Sequence, residues 1–145
     1  MAIDQKFINQ FASVTSKAAV ASYKLVGKKD KIAADKAAVD SMRNELNKLN
    51  VDGKIVIGEG ELDEAPMLYI GEKVGTTRGP EIDIAVDPLE GTNFAANNLP
   101  GALSVIAIAE KDNLFHAPET YMEKISSKVN EKGVVDLDYS TKENI

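Results

Sequence analysis

Residues 82–92 read Ile82-Asp83-Ile84-Ala85-Val86-Asp87-Pro88-Leu89-Glu90-Gly91-Thr92, an apolar, β-branched run that breaks into a sharp turn. Ile82, Ile84 and Val86 alternate as on one face of a half-buried strand. Pro88 cannot donate to a sheet ladder, so the strand is expected to end at Asp87. The turn then carries two carboxylates, Asp87 and Glu90, and is closed by Gly91 with the Thr92 hydroxyl just beyond. A second acidic turn, Gly58-Glu59-Gly60-Glu61-Leu62-Asp63, follows another apolar strand, Ile55-Val56-Ile57. Hard divalent cations such as Mg²⁺ or Mn²⁺ need several oxygen ligands held close together. Two acid-tipped strands in one small chain point to metal-assisted hydrolysis.

Two helices are expected before the first strand. Phe7, Phe11, Val14, Ala18, Ala21 and Leu25 recur at alternating spacings of four and three, one face of an amphipathic helix over residues 4–26. Gly27 is a plausible stop, and the basic stretch Lys28-Lys29-Asp30-Lys31 follows. A second helix fits residues 36–49, with Asp35 at its N-cap and Ala38, Met42, Leu46 and Leu49 inward. Asn50-Val51-Asp52-Gly53 reads as a turn. Strands are expected at 54–57, 82–87 and 102–109, the last apolar enough to be buried. Residues 65–74 are ambiguous between a short helix and none, and 75–80 form a loop. Shorter, weaker strands are expected at 114–115, 121–126 and 133–137. Helices first and strands after give a layered α/β fold, two N-terminal helices packed on a mixed, largely antiparallel sheet.

At 145 residues the chain can build one domain with a real core. A net charge of −6 supplies no electrostatic footprint for nucleic acid. The absence of cysteine excludes a disulfide framework and a thiolate metal site. No run approaches membrane-spanning length and the N-terminus lacks a signal-peptide core, so the expectation is a cytoplasmic protein. Ser140-Thr141-Lys142-Glu143 has the capping-box pattern that opens a helix, although a frayed polar tail explains it as well.

Phosphate monoesters hydrolyse so slowly that a catalyst must remove a very large barrier. Two divalent ions about 4 Å apart can neutralise the phosphoryl oxygens, acidify a bound water and stabilise the leaving alkoxide. Glu59, Asp87 and Glu90 stand at strand ends or in the turns beyond, where acids can converge without crossing a core. Gly91 lets the backbone fold tightly over a phosphate, with its N–H and that of Thr92 available to donate. The Thr92 hydroxyl can hold the attacking water, with Asp63 as the base behind it. Taken singly, each acid is better explained by a turn or a solvated surface than by catalysis; six fixed positions together reverse that, because they rarely coincide by chance. Capping and metal ligation could coexist on the two oxygens of Asp35. Lys31 can contact a phosphate or be one of a solvated basic run. Tyr121 and Lys124 carry little signal alone, and packing accounts for His116.

Asp87-Pro88-Leu89-Glu90-Gly91-Thr92 resembles the motif of the lithium-sensitive, metal-dependent sugar and inositol phosphatases. The run from Ile57 through Gly-Glu-Gly-Glu-Leu-Asp-Glu-Ala-Pro-Met-Leu-Tyr-Ile-Gly-Glu-Lys to Val74 is more specific. With Gly-Lys-Lys-Asp-Lys-Ile-Ala-Ala-Asp35 and Ala117-Pro-Glu-Thr-Tyr-Met-Glu-Lys124, it is similar to the bacterial class II fructose-1,6-bisphosphatases. The resemblance implies a layered sugar-phosphatase fold and two or more divalent ions, Mn²⁺ or Mg²⁺. It implies that Asp35 and Glu59 hold one ion and Asp87 and Glu90 another. Glu90, Gly91 and Thr92 would form the phosphate site, and Tyr121 would touch the sugar phosphate. Lys31, Glu61 and Asp63 match positions near the attacking water.

The implied reaction converts fructose 1,6-bisphosphate to fructose 6-phosphate and phosphate in gluconeogenesis, in a homo-oligomer, dimer or tetramer. Members of that family are longer, with another metal-binding Glu in their second half. The expected organisation is therefore a metal- and phosphate-binding domain over 1–139 and the start of a truncated C-terminal region over 140–145, with weak or absent turnover alone. Gly91-Thr92-Asn93 is nearer to the cyanobacterial branch, which also accepts sedoheptulose 1,7-bisphosphate, and resembles inositol monophosphatases faintly. Those substrates are the close alternatives. A non-catalytic fragment whose acidic turns only bind metal or a partner chain is the alternative from another class.

Overall fold

The computed structural model describes residues 6–58, 68–115, 123–128 and 131–144. Among these residues three helices and four strands follow in the order α1 (Lys6–Tyr23), α2 (Lys31–Leu46), β1 (Asp52–Ile57), β2 (Lys73–Val74), β3 (Glu81–Glu90), α3 (Thr92–Ala96) and β4 (Leu103–Glu110). The sheet order is β2-β1-β3-β4. β1 runs parallel to β3, whereas β2 is antiparallel to β1 and β4 antiparallel to β3. This is the layered α/β arrangement expected, on a mixed sheet with two antiparallel pairings among three. Among the described residues no helix is long and apolar enough to cross a membrane.

The periodic apolar faces explain the packing. Phe7, Phe11, Val14 and Ala18 of α1 are buried with Ala34, Ala38, Val39, Met42 and Leu46 of α2. They meet Ile55 of β1 and Ile82, Ile84 and Val86 of β3 in one core. Removing such side chains from water is the main favourable term in folding, about 1.5–3 kcal/mol for each large one. Arg43 on α2 adds a two-pronged ion pair with Glu72, Nε to Oε1 at 2.7 Å and Nη2 to Oε2 at 3.1 Å. This fork ties the helix to the turn that precedes β2.

Several local expectations need correction. α2 begins earlier, because Asp30 rather than Asp35 is its N-cap: the Asp30 Oδ1 accepts from the Ala33 N–H at 2.9 Å. Asp35 lies in the second turn, and its Oδ1 is buried without a hydrogen-bond partner. The turn placed at 50–53 ends sooner, since Asp52 and Gly53 already pair with β3. β3 does not stop at Asp87. It runs to Glu90 through an irregularity, described below.

β4 is an edge among the described strands, and its first residues alternate between exposed and half-buried, so it is not a buried strand. The described parts of 114–115, 121–126 and 133–137 form no strand. Alternation alone cannot make a strand without a neighbour to satisfy its backbone. At 136–144 the backbone bonds locally instead: Asn144 Oδ1 accepts from Asp136 N–H at 2.8 Å. Only half of the capping box at Ser140 forms, around a turn: Glu143 Oε2 accepts from the Ser140 N–H at 2.9 Å, while the Ser140 hydroxyl donates to the same oxygen.

The reassigned cap is testable by stability in the presence of a chelator. Asp30→Ala should cost about 1 kcal/mol, the usual loss on removing an Asp cap. Asp35→Ala should cost nothing and is expected to stabilise, because it removes a buried, unpartnered oxygen. Denaturant melts of the two variants check this; the reverse order would restore Asp35 as the cap.

Candidate functional site

The geometry of the acidic turn follows from counting residues. Along β3 and β4, Ile82 faces Glu110, and the pairing proceeds one for one to Asp87 facing Val105; the next pair is Glu90 with Leu103. Pro88 and Leu89 therefore stand opposite the single residue Ser104, which is a β-bulge. A bulge is one of the few places in a sheet where proline fits, because no ladder donor is needed there. Side chains three apart in a regular strand point to opposite faces. The extra residue cancels that alternation and brings Asp87 and Glu90 to one side, their carboxyls within hydrogen-bonding reach.

Asp87 also closes the turn locally, Oδ1 accepting from the Leu89 N–H at 3.1 Å. The same carboxyl thus closes the turn and meets Glu90. Gly91 takes the left-handed conformation, φ +78°, and a Cβ there would sit 3.0 Å from the Phe94 ring. Glycine is the residue that meets both demands. α3 then starts at Thr92, whose side chain is half-buried.

A third acid reaches this group from the helix layer. Burial, the hydrogen bond to Glu90, the Glu90 charge and the Asp35 charge together push the Asp87 carboxyl up to about 6, against a modest opposing pull from the Leu89 N–H. Burial also raises Asp35. Lys31 lies one turn before Asp35 on α2, exposed to solvent. Three carboxyl groups crowded this way, one with an orphaned buried oxygen, supply the hard oxygen donors that a divalent cation takes.

On their own they are not a complete cage, since among the described residues no three acidic, cysteine or histidine side chains form a metal-holding cluster. Glu59, Glu61, Asp63, His116 and Tyr121 lie outside the described residues. The parallel pairing of β1 with β3 carries both strands to the same end of the sheet, and the described part of the first acidic turn stops there, at Gly58. The structure thus gathers Asp35, Asp87 and Glu90 and sets Lys31, Gly91 and Thr92 close to them in the chain. Lys124 has no described link to the site.

One organising acid escapes the sequence reading. Asp83 is buried on β3, and its Oδ2 accepts from the N–H groups of Asn113 at 3.0 Å and Leu114 at 3.2 Å. It thereby fixes the segment that leaves β4. The available signal was a carboxylate inside an apolar strand, Ile82-Asp83-Ile84, which must find donors if it is buried.

The crowding predicts a pH dependence of stability without metal. Asp87 keeps its proton to a higher pH in the folded chain than the ordinary 3.8. The stabilisation this gives is complete below about pH 4 and is lost as pH rises through about 6. Asp87→Asn cannot ionise, so in chelator it should gain about 1 kcal/mol near neutral pH, after discounting for partial exposure, and almost nothing near pH 4. Thermal melts at the two pH values decide; equal stability at neutral pH would show that the acids do not crowd.

The model of the bacterial fructose-1,6-bisphosphatases, glpX-encoded, matches residues 5–145. Fructose-1,6-bisphosphatase 1 class 2 of Escherichia coli is 53% identical over 136 residues, covering 94% of this chain and 40% of that protein. The D-fructose 1,6-bisphosphatase class 2/sedoheptulose 1,7-bisphosphatase of a Synechococcus strain is 50% identical over 143 residues, covering 99% of this chain and 43% of that protein. This chain thus spans about two fifths of the length of the curated relatives it matches. A solved structure, the extragenic suppressor from Pyrococcus furiosus, superposes with a TM-score of 0.51 at 19% identity, covering 75% of this chain and 42% of that one, a likeness of fold alone. The chain belongs to the family of bacterial, glpX-encoded fructose-1,6-bisphosphatases.

Proposed function

We propose that this chain supplies the metal- and phosphate-binding part of a phosphatase that releases the 1-phosphate of fructose 1,6-bisphosphate. The observation that carries the reading is the orphaned Asp35 oxygen set against the Asp87–Glu90 pair, on a chain of this family. Asp35, Asp87 and Glu90, with Glu59 from the neighbouring turn, would hold divalent ions such as Mn²⁺ or Mg²⁺. Such ions, when bound, would neutralise phosphoryl charge and lower the pKa of water.

The remaining chemistry belongs to the chain. The Thr92 hydroxyl orients the attacking water, and Asp63 accepts its proton, with Glu61 beside it. The water oxygen bonds to phosphorus as the bond to the sugar oxygen breaks, and that oxygen leaves as the hydroxyl of fructose 6-phosphate once it gains a proton. Lys31 places a positive charge on the solvent side of the phosphoryl group. Gly91 allows the backbone to approach it closely, and Tyr121 contacts the sugar phosphate. Preorganised charge of this kind is where most of the barrier reduction in phosphoryl transfer arises.

A second substrate has specific support. The Synechococcus relative, whose printed name includes sedoheptulose 1,7-bisphosphatase, matches nearly the whole chain at 50% identity. The same acids and the same Thr92 serve either ketose bisphosphate.

The test places this chain in a full-length family enzyme, in place of the aligned segment of the Escherichia coli relative. Mn²⁺- or Mg²⁺-dependent phosphate release from fructose 1,6-bisphosphate is expected, with sedoheptulose 1,7-bisphosphate assayed alongside. Asp87→Asn should lower activity by more than about a hundredfold, beyond the usual effect of changing a residue one layer behind a ligand. Thr92→Val should lower kcat with little change in KM. Unchanged activity and Mn²⁺ dependence in Asp87→Asn would refute the site.

A further inference from the structure

The connection between α1 and α2 does not simply bridge the helices; it hooks onto α3. The Gly27 N–H donates to the Ala95 carbonyl at 3.0 Å and the Lys29 N–H to the Ala96 carbonyl at 2.8 Å. These acceptors belong to the last turn of α3, where a helix leaves carbonyls without internal partners. Two left-handed residues build the hook. Gly27 has φ +76°, and Lys29, which carries a side chain, has φ +59°. Left-handed backbone at a residue other than glycine persists only when its surroundings hold it.

The facing end of α3 is fitted to the hook. Asn98 is also left-handed, at φ +55°, and its N–H shares the Ala95 carbonyl at 3.2 Å. A Cβ on Gly27 would touch the Asn98 Cβ at 3.4 Å, and the left-handed backbone there disfavours a branched side chain.

The placement of the hook matters. It immediately precedes Asp30, the cap of α2, and so sets the start of the helix that carries Lys31 and Asp35. α3, five residues long, immediately follows Glu90 and Gly91. A helix that short has no stability of its own. We infer that residues 27–29 act as a positioning clamp, which fixes the acid-bearing start of α2 against the Glu90-Gly91-Thr92 turn through α3. Gly27 and Lys29 are its positioning residues and act through their backbone. The inference rests on the metal site proposed above and assigns these two residues a role in its affinity.

The test reads Mn²⁺ affinity by calorimetry on this chain, beside melting in chelator. Gly27→Val introduces a branched Cβ at a left-handed position and should weaken Mn²⁺ binding by about tenfold, the scale seen when a ligand's support is removed. Gly27→Asn tolerates the left-handed backbone and should recover most of that affinity. A merely structural glycine would instead lower the melting temperature of the metal-free chain and leave the affinity of the folded fraction unchanged, which would overturn the clamp.

Should Gly27→Val fail to fold, wild-type hydrogen exchange decides. A cation that binds only the clamped arrangement must slow exchange of the Gly27 and Lys29 amides when Mn²⁺ is added. Bound Mn²⁺ with unaltered exchange at both amides refutes the clamp alone. Failure of the wild-type chain to bind Mn²⁺ refutes the metal site, and the clamp with it.

Discussion

One extra residue in β3 decides where two carboxylates point. Without the bulge at Pro88 and Leu89, Asp87 and Glu90 would face opposite sides of the sheet, and no turn chemistry could unite them. Proline favours the bulge because it has no donor to lose, and Gly91 then redirects the chain into α3. β1 carries its own register shift between Ile55 and Ile57, just before the first acidic turn. Both strands that lead to acids are thus irregular at the same end of the sheet. Bulges commonly re-aim side chains beside active sites.

The gathering of acids runs against the stability of the folded chain. Like charges at close range and burial of Asp35 and Asp87 both disfavour the ionised forms. The core of α1 and α2 on the sheet offsets this, with Met42, Leu46, Ile55 and Ile84 fully buried. Such a division, a strained functional edge on a well-packed support, is what a binding site for a small hard ion requires. A cation would reverse the local balance by pairing with the charges that now repel.

Much of this was legible in the sequence, and the failures have physical causes. The α1 face stood out because Phe7, Phe11, Val14 and Ala18 repeat with helical spacing and all are buried. The acidic turns stood out because residue type and order are themselves the signal. Either Asp30 or Asp35 can cap a helix on residue type, and only the Ala33 N–H shows which does. Pro88 read as a strand end because proline marks both ends and bulges, and the distinction lies in the facing strand. Whether β4 lies at an edge depends on neighbours distant in sequence, which local composition does not encode. The weak strands expected beyond residue 113 are missing among the described residues for that reason as well.

The central claim is the proposal that Asp35, Asp87 and Glu90 belong to one divalent-cation site, completed by Glu59. Its most direct test is Mn²⁺-induced line broadening in the amide spectrum of the isotope-labelled chain, at substoichiometric metal. The account predicts that the amides around Asp35 and those from Asp87 to Thr92 broaden first and together, and that the signals return when Mg²⁺ is added in excess. Broadening spread over the solvated acids of α2 and the 131–144 segment, with these amides still sharp, would contradict it.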